Sequence, residues 1–170
     1  MKKILFALVI SAALVPAAFA AAPAQTPSAF CKTTASALLI GTGKTYKNFG
    51  ACVSKQQAQQ ESNTTNANTT CKAEMALTPD AFKALHVSTP PKTFAEFYGT
   101  SGGNGKDNGK GNAFGKCVSQ HASAKTGEQQ AAQVAAGKKC ATAELKAQIG
   151  ANLKYRNRGA CVSALSKPAS

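Results

Sequence analysis

The stretch from Tyr46 to Ser54 reads YKNFGACVS, and the stretch from Tyr155 to Ser163 reads YRNRGACVS. Extended back to the preceding cysteines, Cys31–Ser54 and Cys140–Ser163 align without a gap and are identical at 11 of 24 positions. A related closing phrase, NAFGKCVS, ends at Ser119. The chain is therefore built from a repeated unit that opens with one cysteine and closes with another.

The repeat suggests how the six cysteines pair. Six cysteines allow about fifteen pairings, and spacing alone does not choose among them. A unit that carries both halves of its own bridge can be duplicated without rewiring, which favours Cys31–Cys52, Cys71–Cys117 and Cys140–Cys161. Bridges between units stay an alternative. In the chain-entropy treatment each bridge contributes about 3–4 kcal/mol.

The first twenty residues have the pattern of an export signal. Lys2 and Lys3 precede an apolar core from Ile4 to Val15, and Ala18-Phe19-Ala20 forms an A-x-A cleavage site. The core is too short for a membrane-spanning helix, and the first cysteine, Cys31, lies too far from the cut for a lipid anchor. We predict a signal peptide over residues 1–20, cleaved after Ala20, and a secreted or periplasmic protein.

Composition limits the size of the hydrophobic core. The chain has a net charge of +13, and the predicted mature chain, without Lys2 and Lys3, carries +11. Only 20 of its 150 residues are Leu, Ile, Val or Phe. Such values are typical of disordered chains, so the predicted bridges compensate for a small core. A membrane protein and a large hydrophobic-core enzyme domain are excluded.

We predict a mainly α fold of three disulfide-stapled helical hairpins joined by polar linkers. The predicted segments are an N-terminal tail (21–30), repeat 1 (31–61), a polar linker (62–70), repeat 2 with a 25-residue insertion (71–121), a linker or solvated helix (122–139) and repeat 3 (140–170).

Local signals place helices within the repeats. Residues 32–40 and 141–149 are short runs of helix-forming residues that end at glycines, Gly41 and Gly150. Four residues are suited to cap the N-terminus of a following helix: Asn48, Thr78, Thr93 and Asn157. Glu74 and Glu144 lie in the opening turns of their units, where an acidic side chain favours the helix dipole.

The middle unit contains the phrases CKAE (Cys71–Glu74), PDAF (Pro79–Phe82), FYGT (Phe97–Thr100) and NAFGKCVS. It resembles a repeat in uncharacterised small secreted bacterial proteins, many of them from actinobacteria. The outer units are similar to a shorter form of that repeat. The resemblance covers most of the mature chain and implies no catalytic residue, ligand or substrate. The stretch from Lys83 to Lys92 departs from the pattern.

Three motifs that could bind phosphate or metal do not hold. The sequence GTGKT at 41–45 lacks the first glycine of a phosphate loop, since Leu38 stands there. GGNGKDNGK at 102–110 has one carboxylate among lysines, which is unfavourable for Ca²⁺. Cys117 and His121, at i,i+4, are two zinc ligands where four are usual, and disulfide use of Cys117 is favoured. We predict no metal and no cofactor.

Charge is the strongest functional signal. Basic, exported proteins associate with polyanions through salt-sensitive contacts. We therefore expect a non-catalytic interaction protein that binds anionic polymers such as cell-wall polymers, lipopolysaccharide or extracellular DNA. No catalytic residue is assigned. The candidate anion-binding residues are Lys106, Lys110 and Lys116 in and after the glycine-rich loop, and Lys154, Arg156 and Arg158 in repeat 3.

Two alternatives remain open. His86 and His121, the only histidines, could act as acid and base in a small secreted hydrolase or nuclease. A disulfide-rich defence or inhibitory module is the other alternative. The oligomeric state and the identity of the ligand are not indicated by the sequence.

Overall fold

The structure is a computed structural model that describes residues 23–33, 36–86, 92–99 and 112–167. The predicted signal peptide and the glycine-rich loop at 102–110 lie outside these residues. The described part contains no β-strand, only two isolated bridges, Ile40 with Tyr46 and Ile149 with Tyr155. Its helices are α1 (Pro27–Lys32), a 3-10 turn (Ser36–Leu38), α2 (Phe49–Met75), α3 (Pro79–Leu85), α4 (Phe94–Tyr98), α5 (Ala113–Lys139), α6 (Ala143–Lys146) and α7 (Arg158–Leu165).

All three disulfides have the predicted pairing: Cys31–Cys52, Cys71–Cys117 and Cys140–Cys161. The prediction of a mainly α, disulfide-stapled protein is confirmed. The repeats are not separate hairpins in a row, however, because two long helices connect them and bring the outer repeats together.

The helices α2 and α5 lie side by side and antiparallel. Gln56, near the start of α2, bonds to Gln130 near the end of α5, and Cys71, near the end of α2, bonds to Cys117 near the start of α5. The predicted linker at 62–70 is instead the middle of α2. Residues 122–139, predicted to be a linker or a solvated helix, are helical and belong to α5. Their polar composition suggests a linker, but contact with a partner helix outweighs propensity.

The interface between α2 and α5 consists largely of amides. The side-chain amide of Gln56 donates to Gln133 Oε1 and to the Tyr46 hydroxyl, each at 2.9 Å. Asn63 donates to Thr126 Oγ1 at 3.0 Å and to Gln129 Oε1 at 2.6 Å. Because these buried groups find partners, the helices can pack without many aliphatic side chains.

Repeats 1 and 3 form one shared core, here called the first core. It lies where the start of α2 meets the end of α5, and it contains two disulfides. Its buried residues are Phe30, Cys31, Leu39, Tyr46, Cys52, Ala136, Cys140, Tyr155, Cys161 and Val162. The repeats are alike locally: the amide of Gly41 donates to Tyr46 O, and the amide of Gly150 donates to Tyr155 O.

Close backbone contact joins the two outer repeats. The amide of Gly159 donates to the carbonyl of Gly43 at 3.1 Å. A Cβ at position 159 would lie 2.7 Å from the carbonyl oxygen of Lys44. A larger residue at 159 would therefore force the repeats apart. The Arg158 guanidinium adds a hydrogen bond of 3.0 Å to the carbonyl of Gly137 in α5.

The second core lies at the opposite end of the helix pair. It packs α3 and α4 against the end of α2 and the start of α5. Its buried residues are Cys71, Phe82, Tyr98, Ala113 and Cys117. The Cys71–Cys117 disulfide thus joins α2 to α5 at the end of the helix pair that lies away from the outer repeats.

The predicted helix starts are confirmed. Asn48 and Asn157 accept hydrogen bonds from amides three residues later, Thr78 caps α3, and Thr93 forms a capping box with Glu96. The predicted helices at 32–40 and 141–149 are shorter. α1 ends at Lys32 and α6 covers only Ala143–Lys146, because the chain must turn into the bridge that pairs Ile40 with Tyr46 and its counterpart in repeat 3.

Candidate functional site

Four polar side chains meet beside the second core. Glu74 comes from the last turn of α2, His121 from α5, Tyr98 from the end of α4, and His86 follows α3 as its C-terminal cap. Side chains from α4, α5 and the C-terminal cap of α3 therefore converge on the Glu74 carboxylate of α2, and Glu74 is 6% exposed.

The Glu74 carboxylate is the centre of this network. The Tyr98 hydroxyl donates to Glu74 Oε2 at 2.9 Å, and His86 Nε2 lies 3.1 Å from the same oxygen. His121 Nε2 lies 3.1 Å from Glu74 Oε1 and 3.1 Å from the Tyr98 hydroxyl. A histidine Nε2 that carries a proton can donate to a carboxylate, and both Nε2 atoms lie at hydrogen-bonding distance from Glu74.

The two histidines differ in their surroundings. The His86 ring is tilted against Phe82 and Phe97, with centroid distances of 4.4 and 4.6 Å. Only 17% of its side chain is exposed, against 36% for His121. His121 lines a polar groove of about 370 Å³ between α2 and α5, together with Asn63, Asn66, Ala67, Thr70, Ala124, Lys125 and Glu128.

Tyr98 is held in its neutral form. Burial of the ring raises the pKa of Tyr98 well above its ordinary value, and the hydrogen bond to Glu74 and the charge of that carboxylate raise the pKa further. The phenol is therefore a hydrogen-bond donor to Glu74 at any physiological pH, and it fixes the carboxylate between the two imidazoles.

This network was only partly predictable. The sequence suggests His86 and His121 as a pair, and both contact Glu74. Glu74 was predicted to lie in an opening helical turn, but it lies in the last turn of α2, because α2 continues through the predicted linker. The sequence signal for its position was the spacing of three residues from Cys71, which places both side chains on one face of a helix. Glu144 does lie in the first turn of α6.

Charged residues divide unevenly between the ends of the helix pair. We call residues 23–33, 36–60 and 133–167 the basic end, which surrounds the first core. It carries 11 Lys and Arg residues and one carboxylate, Glu144. The remaining described residues, at 61–86, 92–99 and 112–132, carry five of each sign.

The four anion-binding candidates that the structure describes do not form one site. Lys154 and Arg156 are exposed at the basic end, with the Lys154 ammonium 5.4 Å from the Tyr155 ring centroid. Arg158 is half-buried and bonded to Gly137. Lys116 lies in the first turn of α5, at the other end. Lys106 and Lys110 lie outside the described residues.

The GTGKT stretch forms a turn, in keeping with the rejection of a phosphate loop. Gly41 and Gly43 have φ values of +133° and +72°, a region that favours glycine. The Lys44 ammonium donates to the carbonyl of Ala37 at 3.0 Å. The Lys44 ammonium therefore bonds to the backbone just before the turn.

In the described residues, no helix is long and apolar enough to cross a bilayer.

Comparison with known proteins identifies no relative of this chain. The resemblance of the repeats to a secreted bacterial family stays a prediction. No family model, no curated protein and no solved structure matches the chain.

Proposed function

We propose that the protein is exported and binds anionic polymers through its basic end. The observation that carries the proposal is the charge division: 11 cations and one carboxylate surround the first core. Cell-wall polymers, lipopolysaccharide and extracellular DNA share the required chemistry, a high density of negative charge. Three disulfides are typical of proteins in oxidising compartments, where such polymers occur.

The cations of the basic end are available for binding. Among the described residues, Lys and Arg form ion pairs only at Asp80–Lys83 and Lys125–Glu128, both outside the basic end. Nearly all of the basic-end cations are exposed; Lys44 and Arg158 are half-buried and bond to backbone carbonyls. Neutralising a polyanion with such side chains releases counterions and makes the affinity strongly dependent on salt.

A charge-matched pair of variants tests the proposal. The first replaces four exposed cations of the basic end by glutamine: Lys138, Lys139, Lys154 and Arg156. The second makes the same change in net charge elsewhere: Lys72, Lys83, Lys92 and Lys125. Binding to labelled duplex DNA and to heparin is followed by fluorescence anisotropy across a series of salt concentrations.

The basic-end variant should lose at least about tenfold in affinity at low salt. Its slope of log affinity against log salt should fall by about 0.9 for each phosphate contact removed. The control variant should stay within about twofold. Equal losses in both variants would show that net charge alone drives binding, and absence of binding at low salt would reject the function.

The shared carboxylate favours one further candidate, an acid–base hydrolase. Glu74 orients both imidazoles through Nε2, as a carboxylate orients a catalytic histidine, and His121 opens into the polar groove. His121 is then the proton-transferring group and His86 helps to position Glu74. Hydrolysis of a phosphodiester such as bis(p-nitrophenyl) phosphate should be abolished in His121→Ala. Equal activity in wild type and His121→Ala would reject this candidate.

A further inference from the structure

The Cys71–Cys117 disulfide has surroundings that the other two disulfides lack. Its two sulfurs and His121 place their ligand atoms within 4.8 Å of one another, the one such group of three found among the described residues. Glu74 Oε2 lies 3.9 Å from Cys117 Sγ. Two sulfurs and one imidazole nitrogen therefore lie close together between α2 and α5, and the Glu74 carboxylate lies beside Cys117 and His121.

Helix geometry explains why the four residues converge. Cys71 and Glu74 are at i,i+3 on α2, and Cys117 and His121 are at i,i+4 on α5. Residues at these spacings lie on the same face of a helix. Because the two helices are antiparallel and the disulfide joins them, each helix presents one cysteine and one further ligand to the other.

Two contacts of the Glu74 carboxylate are close to the ligand separations of a tetrahedral zinc site. Zinc bonds of about 2.3 Å to sulfur and 2.0–2.2 Å to nitrogen and oxygen imply separations of about 3.6 Å between sulfur and oxygen and about 3.4 Å between nitrogen and oxygen. Cys117 Sγ lies 3.9 Å from Glu74 Oε2, and His121 Nε2 lies 3.1 Å from the other oxygen of that carboxylate, Oε1. Binding through one oxygen therefore requires the Glu74 carboxylate to rotate, and the two sulfurs, which are 2.03 Å apart in the disulfide, must separate.

We propose that, in the reduced protein, Cys71, Cys117, His121 and Glu74 bind one Zn²⁺ in place of the disulfide. A dithiol reductant supplies two electrons and two protons, so that the disulfide becomes two thiols and the dithiol becomes a disulfide. Zinc binding then displaces both thiol protons to solvent. Either the metal or the disulfide ties α2 to α5 at this position.

The neighbours of Glu74 suit this role. The Tyr98 hydroxyl and His86 Nε2 both contact Glu74 Oε2, and outer contacts of this kind orient ligating carboxylates. The environment is buried, since Cys71 and Cys117 are 0% exposed and Glu74 is 6% exposed. The disulfides of the first core have no His, Asp or Glu grouped with them in the described residues.

Metal titration of the full-length mature chain tests the proposal. The protein is reduced with a phosphine, which takes up oxygen from water as the disulfide accepts two electrons and two protons. Co²⁺ is then added as a spectroscopic probe, and Zn²⁺ is titrated against a chromogenic chelator. Wild type is compared with His121→Ala, Cys71→Ser/Cys117→Ser and the control Cys140→Ser/Cys161→Ser, which removes a disulfide of the first core.

Wild type and the control should each bind one Zn²⁺ and show the visible bands of tetrahedral Co²⁺ with thiolate charge transfer. The Cys71→Ser/Cys117→Ser variant should show neither, and His121→Ala should bind at least about 100-fold more weakly. Far-ultraviolet circular dichroism should show that zinc increases helicity in wild type and the control alone. Equal binding by all four proteins would mean that unfolded thiols bind the metal, and would overturn the proposal.

Discussion

The contact between the outer repeats can be tested with two equivalent glycines. Gly50 and Gly159 occupy the same position in repeats 1 and 3, the second residue of α2 and of α7. A Cβ at Gly50 would have only Asn48 Oδ1 nearby, at 3.6 Å. A Cβ at Gly159 would lie 2.7 Å from Lys44 O, 3.0 Å from Lys44 C and 3.2 Å from the Cα of Thr45. These are backbone atoms, which cannot rotate away.

The two substitutions should therefore have opposite effects on the free energy of unfolding. Gly→Ala at a helical position without strain stabilises by about 0.4–1 kcal/mol. At Gly159 this gain is opposed by overpacking, which typically costs about 1–3 kcal/mol, and by stretching of the hydrogen bond from Gly159 N to Gly43 O. We expect Gly50→Ala to be neutral or stabilising and Gly159→Ala to lose about 1–2 kcal/mol.

Urea unfolding followed by circular dichroism, with all disulfides intact, measures both values. In a chain of this size 1 kcal/mol corresponds to a change in Tm of about 2–4 °C, so thermal unfolding should separate the two variants by several degrees. If Gly159→Ala proves as stable as Gly50→Ala, repeats 1 and 3 do not touch at this point, and the shared first core is wrong.

Three further predictions concern other parts of the molecule. Burial raises the pKa of Tyr46 above its ordinary value of 10, so the unfolded state loses its phenol proton first. The stability that this group contributes is present below pH 10 and declines as the pH rises above it. Tyr46→Phe should flatten that decline and remove one late step from the tyrosinate absorbance, which no tryptophan obscures. Glu74→Gln should lower the free energy of unfolding in urea by about 2–3 kcal/mol, because three donors lose a charged acceptor. Glu61→Gln, at an exposed position, is the control and should change that free energy by less than about 0.5 kcal/mol. Equal losses in the two variants would contradict the buried network. Asn157→Ala should cost about 1 kcal/mol by removing the cap of α7, and Asn152→Ala, in the preceding turn, serves as its control; equal stability of the two variants would count against the cap.

The sequence predicted local structure better than the course of the chain. The caps at Asn48, Thr78, Thr93 and Asn157 depend on neighbours three residues away, so short motifs suffice to predict them. The repeat likewise predicted the disulfide pairing. The shared first core could not be predicted, because nothing in the repeated phrase says whether two copies fold separately or together.

The stretch at 62–70 shows why the full length of α2 was not predicted. Ser, Asn and Thr favour loops because their side chains compete for backbone hydrogen bonds. In α2 the hydroxyls of Thr64 and Thr65 bond to carbonyls four residues earlier, which satisfies them within the helix. Asn63 instead bonds to α5. The same residues that resemble a linker in sequence therefore form a polar helix interface once a partner helix is present.

The length of the helix pair keeps the two proposed sites independent. Cys52 in the first core and Cys71 in the second are 19 residues apart on α2, which corresponds to about 28 Å along a helix. The Debye length at physiological salt is about 8 Å, so charge changes at the basic end should hardly alter the field at Glu74. The amide-lined interface between the ends contains no charged side chain among its buried residues Gln56, Asn63, Thr126 and Gln130. A variant that loses polymer binding should therefore keep zinc binding in its reduced form, and a variant such as His121→Ala should keep polymer binding. If either variant lost both polymer binding and zinc binding, the cause would be global unfolding rather than damage to one site.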